Sequence, residues 1–196
     1  FVVVFAAVSI DVTPGTTQLR GTGTPGTFLA ATRQTAEGAT TAMTPTELVD
    51  DPSWWFDLTE TGDEAVPFGA GDTITVERRG GPLGDDWKTV LGPVTLPEVT
   101  LDIDAARDQV RGVAPPGAAV VVTAGASPFG PPVAPRTTSS VAAPDGTFAV
   151  DLPGLDLAPG WRVKAVVEAA TRVSLTHRSA VPQVVVGIDT PGIAGV

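Results

Sequence analysis

The residue best fitted to proton transfer near neutral pH is the single histidine, His177, set in Ser174-Leu175-Thr176-His177-Arg178-Ser179. General acid–base or metal work needs partner groups within hydrogen-bond reach, and the sequence places none beside it. Cysteine is absent, which removes thiolate nucleophiles, thiolate metal sites and disulfides together. There is no Gly-x-Ser-x-Gly elbow, no Gly-rich phosphate loop and no His-Glu-x-x-His pair. An enzyme built on this chain would have to use scattered carboxylates, so the expectation is a non-catalytic protein with no cofactor.

The remaining candidates are carboxylates and tryptophans. Asp50-Asp51, Asp63-Glu64, Asp85-Asp86 and the pair Asp102 and Asp104 offer the oxygen ligands that Ca2+ prefers, although no loop has EF-hand spacing. Asp102 and Asp104 stand two apart in a strand-like run and so share a face, at a junction where a stiffening calcium would fit. Read as solvated edge charges, the same residues discourage strand-to-strand aggregation. Of the four tryptophans, Trp54, Trp55, Trp87 and Trp161, an exposed one could stack on a sugar ring. Strand alternation lets only one of the Trp54-Trp55 pair face solvent. Trp55 or its neighbour reads first as a plug of the first core and Trp161 as a plug of the second; the alternative is glycan recognition, for which Trp54, Trp87 and the Pro/Gly-rich loop 80–86 mark the first half as the surface.

What must position these residues is a set of short strands. The 22 glycines and 19 prolines interrupt every long helical pattern. Between them lie alternating, β-branched runs such as Val8-Ser9-Ile10-Asp11-Val12, Asp72-Thr73-Ile74-Thr75-Val76, Ala119-Val120-Val121-Val122 and Trp161-Arg162-Val163-Lys164-Ala165-Val166, each a strand with one buried face. Phe28, Val120, Ile74, Val163 and Phe148 are expected in the core. The net charge of −10 repels phosphate backbones and anionic lipid heads, so nucleic acid is not an expected partner. The longest apolar stretch, Phe1 to Val8, is far too short for a membrane helix.

Placing Val8 on Val99 lays Val8 to Thr32 over Val99 to Thr123 without a gap. Asp11 then meets Asp102, Gln18 meets Gln109, Arg20-Gly21 meets Arg111-Gly112 and Pro25-Gly26 meets Pro116-Gly117. Further on, Trp55-Phe56-Asp57-Leu58 matches Ala149-Val150-Asp151-Leu152, and Gly71 to Ile74 matches Gly160 to Val163. Each copy has the length of one β-sandwich with its own core. The sequence therefore predicts an all-β protein of two sandwiches, residues 8–96 and 97–189, meeting between Pro93 and Val99. Residues 190–196 resemble the start of a further copy. Residues 1–7 read as a closing strand that belongs to, or completes, a neighbouring domain. Its residues Phe1, Val2, Val3, Val4 and Phe5 are apolar on both faces and suit strand addition to a neighbour.

The run Val110 to Val122, followed by Asp145-Gly146-Thr147-Phe148-Ala149-Val150 and Leu157-Ala158-Pro159-Gly160-Trp161-Arg162-Val163, resembles bacterial immunoglobulin-like repeats. The resemblance covers nearly all of the second copy and, more loosely, the first, where the Asp-Gly-Thr-Phe hairpin gives way to Pro52-Ser53-Trp54-Trp55-Phe56. Such repeats occur in tandem in large surface proteins, adhesins and fibres. The resemblance implies two tandem immunoglobulin-like domains with a spacing, stalk or assembly role, and carries no catalytic residues. It also implies an extracellular or cell-surface location, with neighbouring repeats or copies of the chain as partners. The lack of an initiator Met fits a piece of something longer.

Overall fold

A computed structural model describes residues 8–48, 52–57, 66–79, 88–125, 134–170 and 172–181. The segment Phe1 to Phe5, Trp87, the acidic pairs 50–51, 63–64 and 85–86, and the start of a third copy lie outside the described residues. The described chain is all-β. Its first half forms β1 (Ser9–Val12), β2 (Gln18–Thr22), β3 (Thr27–Gln34), β4 (Thr40–Leu48), β5 (Ser53–Asp57), β6 (Thr73–Arg79) and β7 (Lys88–Thr95). The second half forms β8 (Thr100–Asp104), β9 (Gln109–Val113), β10 (Ala119–Gly125), β11 (Arg136–Val141), β12 (Thr147–Asp151), β13 (Arg162–Ala170) and β14 (Val173–Ala180).

The sequence repeat reappears as a repeat of register. In the first half Ser9 faces Thr22 and Val12 faces Leu19, and in the second Thr100 faces Val113 and Ile103 faces Val110. Gly21 sits opposite Trp54, as Gly112 sits opposite Phe148. These two glycines are required by close approach. A Cβ on Gly21 would lie 1.9 Å from the Ser9 carbonyl oxygen and 2.4 Å from the Trp54 ring, and one on Gly112 would lie 2.0 Å from the Thr100 oxygen and 2.8 Å from the Phe148 ring. In each copy an aromatic side chain from the strand beside the glycine, β5 or β12, covers the gap that the glycine leaves, a pairing that restores the packing glycine lacks.

The strands form a four-stranded sheet β4-β3-β6-β7, a three-stranded sheet β12-β9-β8 and a seven-stranded sheet β11-β10-β13-β14-β1-β2-β5. The last of these crosses from one half of the chain to the other, because β1 pairs in parallel with β14, placing Ile10 beside Val173 and Val12 beside Leu175. Along the inner face of this sheet Val120, Val122, Ala124, Val163, Ala165, Val167, Val173, Leu175, Ile10, Val12, Leu19, Trp54 and Phe56 are all buried. They form one cluster with Leu29, Ala31, Ile74 and Val76 of the four-stranded sheet and Val110, Phe148 and Val150 of the three-stranded sheet. Both smaller sheets therefore cover the same face of the large one, in the face-to-face layering of a β-sandwich. Among the described strands every other pairing stays within its own half. The expectation of two fully self-contained sandwiches needs correction at this seam, where two edges that would each expose unpaired backbone groups pair with each other instead.

Val120, Ile74, Val163 and Phe148 are buried as expected, whereas Phe28 is only half-buried and Leu29 points inward. The repeat itself contains the right register, since Leu29 falls on Val120. The one-residue slip transfers a side chain to the other face of the strand.

The first copy departs from the second at its inner end. Arg33 and Asp72 occupy the places of Ala124 and Trp161, and both are buried. Arg33 Nη2 lies 2.5 Å from Asp72 Oδ2, and Nε donates to the same oxygen at 2.9 Å. The guanidinium also donates to the Val66 and Pro67 carbonyls and lies 4.8 Å above the Phe68 ring, while the Gly69 amide donates to Asp72. A charge taken out of water is tolerated only when its hydrogen bonds are filled, and here the fork of the arginine is.

Candidate functional site

Outer-face residues of the seven-stranded sheet are those that alternate with the core. On β2 and β5 they are Gln18, Arg20, Thr22, Ser53, Trp55 and Asp57. Asp57 accepts hydrogen bonds from Thr17 Oγ1 at 2.8 Å and Gln18 Nε2 at 3.3 Å, and Arg20 Nη2 donates to Gln18 Oε1. The second copy repeats the chain, with Gln109 Nε2 donating to Asp151 at 2.7 Å and Arg111 Nε donating to Gln109. These repeated polar residues tie neighbouring strands together in both copies.

What differs is the residue facing the arginine. Arg20 stands opposite Trp55, and Arg111 stands opposite Ala149. Trp55 is 56% exposed, beside a shallow groove lined by Gln18, Arg20, Gly21, Ser53 and Trp54. A flat aromatic face with hydrogen-bonding groups at its margin is an arrangement that can stack on a sugar ring and hold its hydroxyls. Trp54, expected to face outward, is instead 4% exposed and packs over Gly21 at 5.5 Å, centroid to centroid, from Phe56. The pair is thus reversed, because Trp54 fills the gap above the glycine. The comparison of Trp55 with Ala149 in the repeat was the signal that could have singled out Trp55.

Asp102 and Asp104 share a strand, but the structure gives Asp104 to arginine: its Oδ2 accepts from Arg111 Nη2 at 2.6 Å and Arg107 Nη1 at 3.0 Å. Among the described residues no group of three His, Cys, Asp or Glu comes together that could hold a metal ion. His177 lies on the inner side of β14 opposite Ala165, and its Nε2 is buried without a partner. Burial lowers its pKa from 6.5 by disfavouring the imidazolium.

The seam is held by Asp11, a residue that recurs in the second copy. Asp11 accepts hydrogen bonds from Thr176 Oγ1 at 2.8 Å and Ser174 Oγ at 3.1 Å, both on β14, while the Ile10 amide donates to the Arg172 carbonyl at 2.9 Å. Asp102, the counterpart of Asp11 on β8, is exposed. No described helix is long and apolar enough to cross a membrane.

The fold and these surfaces define the chain as an all-β protein of stacked sheets. No protein family matches the sequence, and no curated protein does. Among solved structures, a biofilm-associated protein BSP domain superposes with a TM-score of 0.31 at 15% identity, covering 92% of this chain and 30% of that one. A Bacteroides fragilis protein assigned as a beta-galactosidase superposes with a TM-score of 0.19 at 12% identity, covering 87% of this chain and 34% of that one. The chain spans about a third of the length of these two structures. Likeness at this level assigns neither family nor function.

Proposed function

We propose that this chain is a non-catalytic, extracellular structural or adhesive module made of two immunoglobulin-like repeats that share one sheet, within a surface protein or filament. The observation that carries the reading is the parallel pairing of β1 with β14, the first and last described strands. Tension applied before β1 and after β14 pulls two parallel neighbours in opposite directions along their length. Their hydrogen bonds, with the Asp11 links to Ser174 and Thr176, then share the load instead of opening one by one. Repeated polar residues engaged in tying strands together fit the same role.

The seam also supplies a rule for growth. The second copy offers β14 to the opening strand of the first, so β7 offers the equivalent edge to a preceding copy and β8 the equivalent strand to a following one. Each contact would use different surfaces on the two partners, which propagates instead of closing. Single-molecule stretching from either end tests the reading. Rupture is expected as one high-force event that Ile10→Pro, which removes the amide bonded to Arg172, lowers markedly. Rupture at low force, unchanged by that substitution, would refute the load-bearing role.

A second reading is favoured by Trp55 specifically: a carbohydrate-binding module that uses this exposed ring with Arg20 and Gln18. A glycan-array comparison with Trp55→Ala separates the two, since a load-bearing module without sugar recognition gives the same blank array for both proteins.

A further inference from the structure

On a molecule carrying 22 acidic residues against 12 Lys and Arg, three of those cations share one groove. Arg162 and Lys164 of β13 and Arg178 of β14 line it, with Thr123, Pro135 and Ser179 among its other walls. Lys164 stands directly opposite both Arg178 and Thr123 in the sheet, so two like charges face each other across neighbouring strands. All three side chains are exposed, and among the described residues no carboxylate pairs with any of them. Directly opposed like charges weaken a sheet, so the fold alone gives no reason for this cluster. An anion seated between them would remove the repulsion.

We infer that this groove binds the carboxylate of an acidic sugar in a short oligosaccharide. Two arginines offer planar forks that match a carboxylate, and Lys164 adds a point charge. Thr123, on the same face as Lys164, supplies a hydroxyl at the margin for a sugar's own hydroxyls. The walls hold no aromatic, Leu, Ile or Met anchor of the kind that centres a protein interface. The net charge of −10 repels a long polyanion such as a nucleic acid, which leaves a ligand with few charges. The groove lies on β10, β13 and β14, apart from the Trp55 face on β2 and β5, so it stands independently of that second reading.

Calorimetric titration of the whole chain with trigalacturonate and with its uncharged galactose trisaccharide, at low and at physiological salt, tests the inference. Trigalacturonate is expected to bind, to weaken with salt, and to lose about tenfold or more in the double variant Lys164→Gln/Arg178→Gln. Thermal midpoints check the fold of that variant, and Arg162→Gln made separately gives a second measurement. Absence of binding at millimolar trigalacturonate, equal binding of the uncharged trisaccharide, or affinity indifferent to both variants would overturn the site. Tighter binding of a triglutamate peptide would overturn it in favour of an acidic protein segment.

Discussion

At the scale of single residues, the most consequential positions are the least reactive. Gly21 and Gly112 let a backbone oxygen and an aromatic ring approach closer than any side chain permits. Gly21→Ala drives a Cβ into the immovable Ser9 carbonyl, and the overpacking should cost about 1–3 kcal/mol, read as a drop in urea midpoint at constant slope. The equivalent Gly112→Ala should behave alike, since its clash with the Thr100 oxygen is of the same size. His177 predicts a pH dependence. Its folded pKa is depressed by burial, so the unfolded chain takes up the proton first as pH falls. The stability associated with the neutral ring is present above pH 6.5 and is lost as pH falls through the lower folded value. Urea titrations between pH 7.5 and 5 should show a steeper loss in the native chain than in His177→Leu; parallel curves would contradict the assignment.

At the scale of elements, the first copy closes its inner end with an ion pair where the second uses Ala124 and Trp161. Removing one partner strands the other charge in the core, so Asp72→Ala should cost about 3–5 kcal/mol. Replacing both, as in Arg33→Met/Asp72→Leu, should restore most of that loss, because filling the space with apolar atoms avoids the desolvation of two charges. A double-mutant cycle by chemical denaturation gives the coupling, and a double variant as unstable as Asp72→Ala would mean that Arg33 acts through something other than Asp72.

At the scale of the whole molecule, the seam makes one buried cluster from two repeats. Calorimetry should therefore record a single unfolding transition, with calorimetric and van't Hoff enthalpies in agreement. Two resolved transitions in the unmodified chain would show that the β1–β14 pairing does not couple the halves.

The sequence by itself determined the all-β class, the two-fold repeat and most inward positions, because strand alternation and turn glycines are local properties written every few residues. It also contained the Arg20–Gln18–Asp57 chain, visible as residues repeated in Arg111, Gln109 and Asp151. The repeat also held the register of the Trp54-Trp55 pair and of Phe28, since Trp55 falls on Ala149 and Leu29 on Val120, but alternation within a single strand does not reveal it beside an apolar neighbour. The tertiary structure supplied the physical reason for the first, because Trp54 lies over Gly21. The cationic groove sits on the consecutive strands β13 and β14, where the turn between them sets Lys164 opposite Arg178. The seam was beyond any local reading: it joins β1 to β14, and the partner of an edge strand is chosen by three-dimensional proximity, which no spacing along the chain encodes.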